Sequence, residues 1–132
     1  MTKNGAQSAQ FEKAFATLKE AWNFSRSKKG AEFTIARDAC IQRFEYCFDL
    51  SWKLLKETLL QKHDITCTSP RTCLEEAFGQ HLVDESELWA KMAKWRNLTS
   101  HVYYEEVADE VYKNLEAILA AMGKLSGKVK EG

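Results

Sequence analysis

Proline and glycine are scarce in this chain. One proline and six glycines among 132 residues leave long spans with nothing to break a helix. An excess of either charge is missing too. Nineteen lysines and arginines balance 19 aspartates and glutamates, so the net charge does not point to nucleic acid, although a local basic face stays open. No apolar run approaches the length of a transmembrane helix, and residues 1–10 are polar, without the apolar core of a secretion signal. No membrane association and a cytoplasmic, reducing location are expected. The four cysteines, Cys40, Cys47, Cys67 and Cys73, include no C-x-x-C pair. Cys40 and Cys47 sit seven apart in an apolar helical pattern and read as core thiols. Cys67 and Cys73 could meet, but nothing in their spacing requires it. Neither a zinc site nor a disulfide scaffold is expected in a chain with this much core. Alternating period-two patterns are absent, so no strand is expected.

What is present is apolar and helical. A hydrophobic content of 45%, with 11% aromatics, excludes a disordered chain. The length fits one domain, 1–132, with an ordered core at about 8–125 and a loose tail at 126–132. Phe11, Ala14, Phe15, Leu18, Ala21 and Trp22 recur at spacings of three and four, which predicts a first helix over about 8–27. Gly30 reads as a stop after it. The second helix, about 34–62, is the longest. With Phe44 as zero and roughly 100° per residue, Cys40, Ile41, Cys47, Phe48, Ser51, Trp52, Leu54, Leu55 and Leu59 fall within roughly 80° either side. So wide a stripe fits more than one neighbour. Tyr46 and Leu50 fall off it and suggest a further contact surface, with scattered surface apolars as the competing reading. Asp49 and Lys53 form an i,i+4 pair.

Ser69-Pro70 is a helix start, with serine as N-cap and proline at the first helical position. It opens a short helix over about 70–80 that packs Cys73, Leu74, Ala77 and Phe78. Asp84-Glu85-Ser86-Glu87 resembles a capping box and opens a fourth helix with Leu88, Trp89, Met92, Trp95 and Thr99 inside. Regularity should fail near 101–104. A fifth helix over about 105–125 carries Val107, Val111, Leu115, Ile118, Leu119 and Met122. The fold class is all-α: an up-and-down bundle of four main helices and one short one.

Chemistry concentrates at Arg96 and His101. An arginine holds phosphate by a planar fork, and a histidine exchanges protons near neutrality. Together they suit RNA cleavage, with histidine activating a 2′-hydroxyl or protonating the leaving oxygen and arginine stabilising the pentacoordinate phosphate. Residues five apart on an ideal helix point roughly 140° apart. The pair therefore needs a bent helix end or a site shared by two subunits. Tyr103 or Tyr104 could stack on a base or accept a nucleotide, though a tyrosine half buried at a helix junction is the plainer reading. Glu45, Asp49 and Glu57, with Arg43 and Lys53, read as solvated ion pairs rather than metal ligands. His63 and His81 have no partner in sequence and are assigned no role.

The run Arg96-Asn97-Leu98-Thr99-Ser100-His101-Val102-Tyr103 resembles the R-x4-H-x-Y pattern of the HEPN superfamily (higher eukaryotes and prokaryotes nucleotide-binding domains). More specifically, it is similar to bacterial nucleotidyltransferase substrate-binding proteins, which include HepT-type toxins. A second signature, Arg37-Asp38-Ala39-Cys40-Ile41-Gln42-Arg43-Phe44-Glu45 continuing to Leu50-Ser51-Trp52-Lys53, resembles that family's long-helix segment. So do Pro70-Arg71 and Glu87-Leu88-Trp89. The resemblance spans about residues 8–122. It implies a helical bundle that forms a homodimer, with motif residues of both protomers near one cleft. It also implies a small, minimal-type nucleotidyltransferase as partner, which carries the metal-binding carboxylates and uses a nucleoside triphosphate.

In the toxin version Arg96 and His101 are catalytic in a metal-independent ribonuclease that needs no cofactor. Asn97 and Ser100 contact the substrate. Tyr103, or less so Tyr104, is nucleotidylated by the partner, which silences the toxin. The competing function is a non-catalytic subunit that binds a nucleotide or acceptor substrate for the transferase, and RNA cleavage separates the two. A purely structural bundle leaves the intact motif unexplained.

Overall fold

The computed structural model describes the backbone of residues 3–101 and 105–131, and the side chains of residues 5–99 and 105–130. Among the described residues every regular element is a helix. They run α1 (Lys3–Ser25), α2 (Gly30–His63), α3 (Pro70–Gly79), α4 (Ser86–His101), α5 (Glu105–Lys113) and α6 (Leu115–Glu131). The helix α2 is the spine. It pairs along its length with α1 and also touches α3, α4, α5 and α6. That use of several sides matches the wide apolar stripe. Cys40, Ile41, Phe44, Cys47, Phe48, Leu54, Leu55 and Leu59 are all buried, and Trp52 is half-buried against them. Ser51 and Thr58 are buried within the same stripe, and each hydroxyl donates to the carbonyl four residues back, Ser51 to Cys47 at 2.7 Å and Thr58 to Leu54 at 2.9 Å. The polar atoms are thus satisfied inside the helix.

The other elements bury the faces read from their periodicity. Phe11 and Leu18 come from α1, Trp89, Met92 and Trp95 from α4, and Val111 from α5. From α6 come Leu115, Ile118 and Met122. Arg37, only 3% exposed, ties α5 to α2. Its Nη1 donates to Asp109 at 2.7 Å, its Nε and Nη2 to Asp38 at 3.3 and 3.1 Å, and Glu105 lies 3.6 Å away.

Several elements depart from the sequence reading. Gly30 opens α2 instead of stopping α1. Its φ of +61° is left-handed, which a glycine adopts without a side-chain clash. The capping sequence at 84–87 starts its helix later than read, at Ser86, and the Asp84 carboxylate accepts from Lys128 of α6 at 2.9 Å. The expected fifth helix is divided at Asn114, whose N–H reaches both Glu110 O (3.3 Å) and Val111 O (3.1 Å). Residues 126–131, expected to be loose, continue α6. Val129 is fully buried, and the Lys62 ammonium donates to the carbonyls of Val129 and Lys130, where a cation suits a helix C-terminus. Phe78, expected in the core, is 47% exposed. Cys67 and Cys73 are joined in a disulfide, whereas Cys40 and Cys47 are buried free thiols.

Candidate functional site

The site begins with two carboxylates one turn apart on α2. Glu45 and Asp49 share a helix face by their i,i+4 spacing, at the edge of the buried stripe, where each stays half-buried. Across from them α4 presents Arg96. Asp49 takes the guanidinium in a two-pronged bond, Nε to Oδ1 at 3.1 Å and Nη2 to Oδ2 at 2.9 Å. Glu45 accepts from Nη1 at 2.9 Å and from the Thr99 hydroxyl at 2.8 Å. Every guanidinium nitrogen of Arg96 therefore has a carboxylate partner. The hydrogen bonds that Arg96 donates to Asp49 raise the arginine's pKa above its ordinary value against an opposing desolvation, with the charges of Asp49 and Glu45 adding to the effect. Arg96 is fixed and always cationic. Two carboxylates against one guanidinium leave the cluster with an excess negative charge, so phosphate approaching Arg96 must share it or displace a carboxylate. These contacts correct the reading of Glu45 and Asp49 as solvated ion pairs: Asp49 pairs with Arg96 rather than with Lys53.

Arg96 borders an open cleft of about 340 Å³ with Phe48, Trp52, Lys53, Pro70 and Asn97. Of the residues expected to bind substrate, Asn97 lines this cleft. The side chain of Ser100 lies outside the described residues. His101 is the last residue of α4, with its side chain outside the described residues. The helix is unbroken from Arg96 to His101, so no helix break brings the pair together. Tyr103 and Tyr104 lie outside the described residues altogether. Lys53, Trp52 and Pro70 join the cleft without having been read as site residues. Trp52-Lys53 at the end of the long-helix signature was the available signal. Among the described residues no group of three or more histidine, cysteine, aspartate or glutamate side chains gathers as a metal site. No described helix is long and apolar enough to cross a membrane.

Known proteins share this architecture. A structure from Thermus thermophilus superimposes with a TM-score of 0.79 at 33% identity, covering 90% of this chain and 98% of the other. A Haemophilus influenzae structure with the fold of a substrate binding domain of a nucleotidyltransferase gives a TM-score of 0.77 at 25% identity, covering 93% and 98%. A probable ribonuclease HepT from the same organism is 34% identical over 83 residues, 60% of this chain. The aligned stretch spans 57% of that relative's length. The pattern of the family described as nucleotidyltransferase substrate binding protein like matches residues 7–131. With an all-α bundle, a central long helix and nearly its whole length matched, the chain belongs to the HEPN-type nucleotidyltransferase substrate-binding family.

Proposed function

We propose that this protein is a metal-independent endoribonuclease, the toxin half of a cytoplasmic two-component system whose other half is a minimal nucleotidyltransferase. The observation that carries the reading is Arg96, held rigid and cationic by Glu45 and Asp49 at the edge of an open cleft, five residues before His101 on the same helix. The probable ribonuclease HepT to which the chain is similar supports the same chemistry. Arg96 stabilises charge on the phosphate, and His101 moves the proton of the 2′-hydroxyl or of the leaving oxygen. Asn97 and Ser100 hold the substrate. Nucleotidylation at Tyr103, or at Tyr104, by the partner silences the activity.

The active form is a homodimer. Ile35 and Tyr46 are 72% and 65% exposed, and residues 11 apart on α2 differ by only about 20° in direction. A second copy docked there sits beside Glu45 and Asp49, which are neighbours of Tyr46 on α2. Each copy then brings its own His101 to the shared cleft.

Purified protein without its partner should cleave RNA in the presence of a chelator. Arg96→Ala and His101→Ala should each lower the rate by about 10²-fold or more. Cleavage by His101→Ala at the wild-type rate sinks the catalytic role. The second reading, a non-catalytic subunit for the transferase, draws support from the family description and from the full engagement of Arg96 by carboxylates. Nucleotide binding with no cleavage of any RNA would establish it.

A further inference from the structure

A second, larger groove runs between α3 and α4. It encloses about 680 Å³, within the range of nucleotide-sized sites. Buried Leu74, Val83 and Trp89 give it an apolar lining. Phe78 also lines it and leaves 47% of its surface in solvent, unusual for so large an apolar side chain on a helix that buries Cys73, Leu74 and Ala77. The polar side chains lining the groove are Arg71, Glu75, Ser86, Lys94 and Asn97. Arg71 and Lys94 are exposed, and among the described residues neither is in an ion pair. Among the described residues Glu75 is the one carboxylate of the lining, so the described groove carries an excess positive charge in a protein of zero net charge. Ala93 and Asn97 line both this groove and the Arg96 cleft, and Lys53 adds a further cation in the cleft.

We propose that this groove is a subsite for single-stranded RNA flanking the cleaved bond, an inference that rests on the ribonuclease reading. A base stacks on the exposed ring of Phe78, and the neighbouring phosphates lie against Arg71 and Lys94. Unpaired cations beside an aromatic platform are what a sequence-tolerant single-strand site requires. The carboxylates that engage Arg96 strengthen the case. With that guanidinium already paired to two carboxylates, strand affinity has to come from cations elsewhere, and this groove supplies two next door. Charge favours a polyanion over a protein segment as the occupant.

The test uses full-length protein carrying His101→Ala, so that RNA survives, and a fluorescent single-stranded RNA 12-mer. Phe78→Ala should weaken binding by about 10-fold. Arg71→Ala with Lys94→Ala should weaken it and reduce the slope of log affinity against log salt by about 1.4. Lys91→Ala, on α4 outside the groove, should change neither. With His101 restored, the groove variants should raise KM for the 12-mer, leave kcat alone, and cleave a dinucleotide as the wild type does.

Equal affinity in the wild type and the groove variants overturns the subsite, and so does a wild type that binds no RNA. Loss of co-elution with the partner nucleotidyltransferase, with RNA affinity intact, also overturns it and assigns the groove to protein docking. If the wild type binds the 12-mer through the groove yet cuts nothing, the ribonuclease reading fails while the groove stands. The three groove side chains, Arg71, Phe78 and Lys94, are exposed, so folding should be preserved, and far-ultraviolet circular dichroism checks it.

Discussion

At the residue scale, Arg96 shows how far a side chain's setting departs from its sequence neighbourhood. Its partners Asp49 and Glu45 lie 47 and 51 positions away. The sequence singled out Arg96 because it begins a compact motif, and it also exposed the i,i+4 carboxylates, but nothing in it joined the two. The buried thiols give a prediction at this scale. Burial pushes both Cys40 and Cys47 up, Cys47 to about 12 from an ordinary 9.0. The unfolded thiol ionises first, so above pH 9 the unfolded chain binds fewer protons than the folded one. Stability should be full below pH 9 and fall as pH rises toward 12, by about 1.4 kcal/mol per unit for Cys47. Urea unfolding at pH 8, 9.5 and 10.5 should show the decline, and Cys47→Ala should flatten it. A Cys47→Ala profile as steep as the wild type's would place the cause elsewhere.

At the element scale, helix starts were legible where local chemistry decides them. Ser69 accepts from the Thr72 N–H at 3.2 Å, and the Thr72 hydroxyl accepts from the Ser69 N–H at 3.2 Å, with Pro70 at the first position. Ser69→Ala should cost about 1 kcal/mol, read as a lower urea midpoint with an unchanged slope. The signal misled at Asp84, whose carboxylate pairs with Lys128 of a distant helix, a contact that the sequence does not show. Gly30 misled for a related reason: a left-handed glycine can end one helix or lead into the next, and the tight turn after α1 selects the second use. The Cys67–Cys73 bond closes a loop of six residues before and into α3. Loop entropy gives it about 2 kcal/mol, so Cys67→Ser with Cys73→Ser should lower stability by that order in calorimetry. A reductant should have the same effect on the wild type and none on the double variant.

At the scale of the whole molecule, the bundle leaves apolar surface that one copy does not cover. Phe24 and Ile35 border one shallow depression, and with Tyr46 they are more than half exposed. Ile35→Glu with Tyr46→Glu should convert a dimer into a monomer in sedimentation velocity. On the proposed homodimer, RNA cleavage should fall with it, because a cleft shared between two copies would lose the side chains of the second. A double variant that sediments like the wild type would remove this face from the interface.

The sequence by itself determined the all-α class, the order of the helices, the buried stripe of α2 and the placing of Arg96 on α4. Each of these follows from periodicity, from capping chemistry or from the near absence of proline and glycine, all of which act over a few residues. Only the tertiary structure decided that Arg96 is held by Glu45 and Asp49, that α6 runs on to Glu131 over a buried Val129, and that Phe78 faces a cationic groove instead of the core. Those outcomes depend on which helix lies opposite which, and that is settled by long-range packing and charge pairing. The motif that first drew attention to Arg96 marks a site whose electrostatics were written on another helix.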